Sequence, residues 1–537
     1  VTQPQQLAER AEAEPTDIAA ALAEVWCAVL EVGEIDDGSN FFELGGHSML
    51  AALLVSRCER AVGAAISLQL VFENPVFADF VDAVLHCDED VSRLPRVVAT
   101  DLTQAPLSLQ QQEYLAVERS IGLPVNNMVA VVEVGAPVSL DALRDALNAV
   151  VRGHPALRTT LRGEDTQTVA PPQEVLPVPC TEIDLAGRPR ERRTALLRSR
   201  VMRAHLVPFD LATGPGLRCQ IFRNGDDPDV LVLHLHHALC DGNCVGLLLD
   251  DLAAACVGRE LQPADPDEPG HLDYCRWQRD NAEEMIDASR EHWRRVVRAL
   301  AMEPVEPSAG EPGSSFVRSG TSLSVTDTHR LRTWVAADGL TEFSTVAAAA
   351  ALAVRRVIGR STAGIGLLLD GRAQAGLERT IGSFALSSLM AVDTGQVGTP
   401  REFIAQVQRN HLAARRWTQL PLETLLAEPT EELGVTPAAL VDMVVDFERI
   451  YRMNRPGRLP FSVGLDLNEL LRLPQLGPRR ALTAVVQEDD RLALVIECAA
   501  DPAERASAEA LLAATADVLA FFAHHPDTAV DEMTGAA

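Results

Sequence analysis

Apolar and polar positions along this chain follow two rhythms, and the change between them predicts most of its elements. Ile18, Leu22, Val25, Trp26, Val29 and Leu30 recur at helical spacing behind Thr16-Asp17, a good helix start. A loop over 33–42 contains Asp36-Asp37-Gly38-Ser39. A second helix is carried by Leu50, Leu53, Leu54 and Cys58, and a short segment lies around Leu68, Val71 and Phe72. A last helix carries Phe77, Phe80, Val81 and Val84, which completes a small all-α four-helix unit within residues 1–88. Residues 89–105, with Asp90, Pro95 and Thr103-Gln104-Ala105, break every rhythm and read as a linker. Fully extended, such a linker reaches about 50 to 60 Å.

Further on, Val230-Leu231-Val232-Leu233 runs into His234-Leu235-His236, where polar and apolar residues alternate, predicting a strand with two different faces. His237 continues the face of Leu231, Leu233 and Leu235, so it leaves the strand on an apolar side. Cys240-Asp241-Gly242-Asn243 is a turn-forming cluster, and a helical run over 245–252 follows it. Residues 278–298 read as a polar helix and 506–523 as a terminal one.

At 537 residues the chain exceeds what one core can organise and suggests three or four compact units. Hydrophobic residues at 47% and charged residues at 23% are ordinary for a soluble globular protein. A net charge of -29 argues against a nucleic-acid partner, which needs a basic footprint, and suits an anionic membrane surface equally poorly. Ten cysteines without a framework of spacings point to free thiols in a reducing cytoplasm. No apolar run approaches the length of a membrane span, and no signal peptide is expected. The first residue, Val1, suggests a piece excised from a longer polypeptide.

Two places carry candidate chemistry. A histidine at a strand end on an apolar face, with an acid four residues later, suits proton handling; the plainer reading is a hydrogen-bonded core histidine. His234, His236, His237, Cys240 and Cys244 crowd together, but their separations fit no common zinc spacing, and no metal is expected. Ser48 follows Gly45-Gly46-His47 at the start of a helix. There a serine is exposed, the helix N-terminus favours an attached phosphodiester, and the glycines let a modifying enzyme come close. The plainer reading makes Ser48 an N-cap.

His236-His237-x-x-x-Asp241-Gly242 resembles the signature of nonribosomal peptide synthetase condensation domains and of acyltransferases related to chloramphenicol acetyltransferase. Gly45-Gly46-His47-Ser48, flanked by Asp37, Phe41-Phe42 and Leu44, resembles the attachment site of a peptidyl carrier domain. Further matches follow in the family's order. Pro106 to Gln111 resembles the opening motif, with Glu113 where the family has Arg, and Arg152 to Thr159 resembles the second. His271 to Trp277 is similar to the fourth, Ile381-Gly382-Ser383-Phe384 to the fifth and Gln419 to Glu423 to the sixth. Asp370-Gly371-Arg372 stands where the family has a turn before the fifth motif. The last motif, expected over 437–447, is not recognisable.

The resemblance implies a multidomain chain: a small all-α carrier bundle, then an α/β two-lobed domain of the chloramphenicol-acetyltransferase-like type, a V-shaped pseudo-dimer with its site in a tunnel. The expected divisions are 1–88 for the carrier, 89–105 for the linker, 106–275 for the N-terminal lobe and 276–537 for the C-terminal lobe. It also implies a covalent 4'-phosphopantetheine on Ser48, with Gly46 and His47 beside it, holding an aminoacyl or peptidyl thioester. The implied reaction is amide formation with the amine of an acceptor on a downstream carrier. His237 would act on that amine, Asp241 would pair with Arg158 to hold the loop, His236 would be structural, and Gly242 would let substrate or backbone pass close. Implied partners are an upstream adenylation domain, the downstream carrier and a phosphopantetheinyl transferase, with no nucleic acid and no membrane. Two rivals are an epimerisation domain on the same fold, although no Glu-Gly-His-Gly-Arg-like segment is present, and a non-catalytic module that recruits partner enzymes.

Overall fold

The computed structural model describes residues 15–530 apart from 47, 63–65, 67, 87–94, 164, 262–264, 266, 304–315, 373, 375, 450–460, 463–479 and 487–490. The N-terminal unit consists of helices α1 (Pro15–Leu30), α2 (Ser48–Val62), α3 (Leu68–Glu73) and α4 (Phe77–His86). Its core forms where the apolar periodicity placed it. Trp26 is fully buried and meets Phe41, Phe77 and Phe80 at ring-centroid distances of 5.5, 5.2 and 5.6 Å. Such edge and tilted contacts add about 0.5–1.5 kcal/mol each beyond the area they bury.

In the N-terminal lobe a small sheet joins β1 (Gln104–Pro106), β4 (Thr166–Val169) and β3 (Thr159–Leu161). The main sheet is formed by β2 (Asn127–Val134), β5 (Cys180–Asp184), β6 (Leu217–Arg223), β7 (Asp229–His236) and β12 (Phe461–Ser462), in the order β12–β2–β7–β6–β5. α5 (Leu109–Ile121) carries the opening motif and starts with a capping box between Ser108 and Gln111. β7 lies between β2 and β6, so both of its edges are paired, and helices cover both of its faces. Leu231, Leu233 and Leu235 pack with α6 (Leu140–Gly153) and α9 (Gly242–Cys256); Val230 and Val232 pack with α8 (Arg190–His205). The single turn α7 (Pro172–Val175) stands between β4 and β5.

The C-terminal lobe has a mixed sheet formed by β8 (Phe316–Ser322), β9 (Thr362–Leu369), β10 (Leu386–Asp393), β11 (Met443–Arg449), β13 (Arg480–Val486) and β14 (Leu492–Ala499). Their order is β10–β9–β11–β13–β14–β8. α12 (Val325–Ala337), α13 (Glu342–Ile358), α14 (Pro400–Trp417) and α16 (Pro502–His524) pack around it. Ala347 to Ala351 of α13 are all fully buried, which lets that helix lie close against its neighbours. α16 is apolar and long enough, by length and composition, to cross a membrane, which corrects the expectation that no stretch would be. Its Leu511, Val518, Leu519 and Phe522 are instead fully buried in the lobe core. The stretch where the last motif is not recognisable forms a 3-10 turn (Pro437–Leu440) and β11, held by a buried ion pair between Asp442 and Arg360 at 2.9 Å.

α10 (His271–Asp280) packs on β1 and α5, while α11 (Ala282–Ala301) and α15 (Leu422–Leu433) pack on β10 of the C-terminal lobe; the three share a cluster with Tyr274, Trp293, Leu377, Phe384 and Leu420. The lobe division expected at residue 275 falls inside α10. That helix begins at His271, where the Asp273 carboxylate accepts the Gly270 N–H at 2.8 Å, and it yields to α11 only at Asn281. β12 returns from the C-terminal half to pair with β2, and its Phe461 is buried in the N-terminal core.

In β9, a Cβ on Gly364 would stand 1.8 Å from the Leu440 carbonyl oxygen, which passes directly over the strand. Gly364→Ala should therefore lower the unfolding stability of the C-terminal lobe beyond the about 1–3 kcal/mol of ordinary overpacking. A urea titration checks this.

Candidate active site

β7 ends at His236, and the next residues turn tightly. The Leu239 and Cys240 N–H groups both donate to the His236 carbonyl, at 2.9 and 3.2 Å, and the Ala238 N–H donates to His236 Nδ1 at 3.1 Å. His236 is 1% exposed, and its Nε2 lies 3.2 Å from the Glu118 carboxylate. Both of its ring nitrogens thus have partners within the fold.

His237 is held differently. Its N–H donates to the Asn126 carbonyl at 2.9 Å, and its ring packs on Tyr114 with centroids 4.6 Å apart. Its Nδ1 is buried with no hydrogen-bond partner among the described residues. Burial pushes the imidazole pKa below its ordinary value of about 6.5, outweighing the nearby Asp241 carboxylate and the ring's own backbone carbonyl. His237 is therefore neutral at pH 7, half-buried at the end of a strand.

Asp241 is fully buried and caps α9 by accepting the Cys244 N–H at 3.1 Å. It also accepts the Phe384 N–H at 3.0 Å and both terminal nitrogens of Arg372, at 2.9 and 3.1 Å. Its own N–H donates to the Gly382 carbonyl at 3.2 Å. Burial alone would raise its pKa, but the Arg372 guanidinium and these N–H groups hold the carboxyl below its usual range. Burial likewise works against the Arg372 charge, and the Asp241 carboxylate overrides it, holding that guanidinium above its ordinary pKa. Arg372 lies 4.4 Å above the Phe384 ring centroid and also donates to the Thr380 carbonyl at 3.2 Å. Gly371 makes this turn possible: it has φ of +68°, and a Cβ would fall 1.8 Å from the Phe384 carbonyl oxygen.

This corrects the expected pairing of Asp241 with Arg158. Arg158 ends the 3-10 turn Pro155–Arg158 and donates to the Ala170 carbonyl at 2.6 Å, within its own lobe. The partner comes from the opposite lobe, in the Asp370-Gly371-Arg372 turn. Gly242 is exposed, and a Cβ there would meet nothing within 4 Å outside its own helix, so among the described residues no close approach requires glycine at this position. His234 pairs with Gln220 at 3.2 Å, and Cys244 contacts Arg372 and Gly382. Among the described residues no group of His, Cys, Asp and Glu side chains is arranged to hold a metal.

Glu113 faces Glu423 of α15 from across the seam. Burial and the opposing carboxylate push its pKa up to about 8, so at neutral pH it is largely protonated. The arginine that the opening motif leads one to expect is thus replaced by a neutral acid.

In the N-terminal bundle, Ser48 is the first residue of α2, whose first turn contains no acidic residue. Gly45 has φ of +95°, and a Cβ on Gly46 would stand 2.4 Å from the Phe41 ring. The Gly46 N–H donates to the Phe41 carbonyl at 2.8 Å, which ties this turn to the bundle core. His47 lies outside the described residues. A serine at a helix N-terminus free of carboxylates, close behind two side-chain-free residues, fits a phosphodiester-linked group. The bundle rests on the C-terminal lobe: Ser56 bonds to Glu378, and the Gly339 turn lies against Phe42. Glu378 stands in the same loop as Arg372.

The family described as a condensation domain matches residues 102–535, and the one described as a phosphopantetheine attachment site matches 20–84. A linear gramicidin synthase polypeptide of Brevibacillus parabrevis is 27% identical over 448 residues, which is 81% of this chain but 6% of that protein. The chain thus spans less than a tenth of the first curated relatives it matches. Among solved structures, the condensation domain of the Monacolin K polyketide synthase MokA aligns with a TM-score of 0.65 at 19% identity, covering 80% of this chain and 99% of that one. The X-domain in complex with OxyB from teicoplanin biosynthesis aligns at 0.63 and 22%, covering 82% and 98%.

A double-mutant cycle between Asp241→Asn and Arg372→Ala should show a coupling of at least about 1 kcal/mol in urea unfolding, whereas Asp241→Asn with Arg158→Ala should be additive within about 0.5 kcal/mol. Because the folded-state pKa of Asp241 is depressed, its contribution to stability is full above about pH 4 and is lost as pH falls through the folded-state value.

Proposed function

Since this chain belongs to the condensation-domain family of nonribosomal peptide synthetases, with a phosphopantetheine attachment domain ahead of it, we propose that it joins a donor held on Ser48 to the amine of an acceptor on a downstream carrier. The observation that carries this reading is the neutral, half-buried His237 ring at the end of β7, above a buried pair that fixes its loop. The phosphopantetheine borne by Ser48 supplies the thiol that keeps the donor acyl group activated. The chain's own residues do the rest. The lobes hold amine and acyl carbon together, which removes much of the entropic barrier. His237 Nδ1 is buried, so Nε2 is the nitrogen that accepts a hydrogen bond from the attacking amine and takes its proton as the amide forms. An α-amine has a reference pKa of about 8, so a strong base is unnecessary.

Asp241 and Arg372 position the loop, His236 braces it from within, and Arg158 supports the neighbouring strand. Gly242 leaves open space beside the loop. Gly46 and His47 stand beside the attachment serine. The carrier extends to about residue 88, and the connecting segment ends ahead of β1 at Gln104 rather than at the expected residue 105. The chain works with an upstream adenylation domain, a downstream carrier and a phosphopantetheinyl transferase. Its described cysteines are all free thiols, in keeping with a reducing cytoplasm.

Intact-protein mass spectrometry tests the reading. Ser48 is loaded with an aminoacyl-phosphopantetheine, and an acceptor-loaded carrier is added. The donor mass should move to the acceptor carrier, leaving Ser48 with a bare thiol; His237→Ala should slow this by about 10²–10⁴-fold, and Ser48→Ala should not load. Solvent deuterium uptake by the donor without transfer would establish epimerisation instead. Loading without transfer or exchange, across several acceptors, would establish a recruiting module.

A further inference from the structure

α5 places Gln111, Tyr114 and Glu118 at i, i+3 and i+7, in one stripe along the helix. Each meets a different residue at the end of β7 or in the turn after it, and the three residues met are consecutive. Gln111 Nε2 donates to the Ala238 carbonyl at 2.8 Å, the Tyr114 ring packs on His237, and the Glu118 carboxylate lies 3.2 Å from His236 Nε2. Asn126 closes the arrangement. Its carbonyl accepts the His237 N–H at 2.9 Å, its N–H donates to Glu118 at 3.0 Å, and its side-chain amide donates to the Tyr114 carbonyl at 2.7 Å.

Gln111 has no freedom to turn. It is fully buried, and its Oε1 accepts the Ser108 N–H at 2.9 Å. Its amide and that of Gln167 donate to one another's oxygens at 3.0 and 2.9 Å, and Gln167 also donates to the Pro106 carbonyl. The surroundings are apolar, formed by Leu107, Leu161, Ala238 and Leu239. Two glutamines in such a place add little stability that leucine and methionine would not; a satisfied polar network gives direction instead. From this geometry we infer that Gln111 and Glu118 are positioning residues, which set where the His237 ring stands through the two residues flanking it. The inference rests on the proposed transfer reaction, in which a displacement of about 1 Å costs about 10²-fold in rate.

The test uses the full chain with Ser48 loaded. Gln111→Met fills the space without the donor, and Gln111→Met/Gln167→Leu leaves no buried side-chain amide unpartnered; thermal unfolding shows which of the two is folded, and Glu118→Ala carries the test where neither is. Glu118→Gln keeps an acceptor for the Asn126 N–H and a polar contact to His236, whereas Glu118→Ala keeps neither. Single-turnover transfer should fall about 10- to 100-fold in the Gln111 variants and Glu118→Ala, with unchanged half-saturation by the acceptor carrier. Glu118→Gln should stay within about threefold. In the same variants the ¹⁵N resonances of His237, assigned by their loss in His237→Ala, should shift. A folded Gln111 variant with the wild-type rate, or one slowed with its His237 resonances unmoved, overturns the inference. If the wild-type chain shows no transfer, the proposed reaction fails, and the His237 resonances alone decide whether these residues position the ring.

Discussion

The buried pair between Asp241 and Arg372 is the constraint on which the rest of the site depends. Neither group tolerates isolation in this seam. An ionised carboxylate without partners there would protonate, and a lone guanidinium would lose several kcal/mol of hydration. Together, and with the Phe384 and Cys244 N–H groups, they satisfy one another across the two lobes. The pair does not need to add stability to matter. A well-packed apolar replacement can be as stable, but it would not fix direction. Here the direction is specific: Asp241 begins α9, Arg372 leaves the C-terminal lobe, and the turn carrying His237 lies one step before the junction.

That arrangement links the small bundle to the reaction centre. Ser56 meets Glu378 in the loop between Arg372 and Phe384, so the bundle rests on the segment that supplies Asp241 with most of its partners. A carrier that leaves this seat removes a polar contact from that loop. The bundle and the Asp241 carboxylate thus meet one loop.

Much of this was legible in the sequence where a local rule decides the outcome. The four helices of the bundle followed from periodicity, and β7 followed from an alternating run closed by a turn cluster. The place of His237 at the strand end followed from counting faces. What could not be read is pairing at long range. Arg158 and Arg372 are both arginines beside recognisable motifs, and no periodicity tells which lobe supplies the cation. Gly371 held the signal: only a turn with positive φ pressed against Phe384 brings an arginine there. The lobe division expected at residue 275 falls inside α10. The polar run from Gln278 looked like a helix start, but the cap that decides it is Asp273 on the Gly270 N–H. The carboxylate pair of Glu113 and Glu423 was visible only as a departure from the family's pattern, without its partner.

His236, His237 and Asp241 stand within six residues, and their surroundings separate their roles better than their identities do. Asp241 has every lone pair engaged, and His236 has both ring nitrogens in use. A group so fully occupied holds its neighbours but has nothing left for a substrate. His237 is the exception: its backbone N–H is anchored, its ring rests on Tyr114, and neither ring nitrogen is taken by another residue among those described. A buried polar group left unsatisfied costs about 1–3 kcal/mol. The fold bears that cost at this one side chain of the three while satisfying the other two, which is the arrangement that the proposed role of His237 as proton acceptor requires.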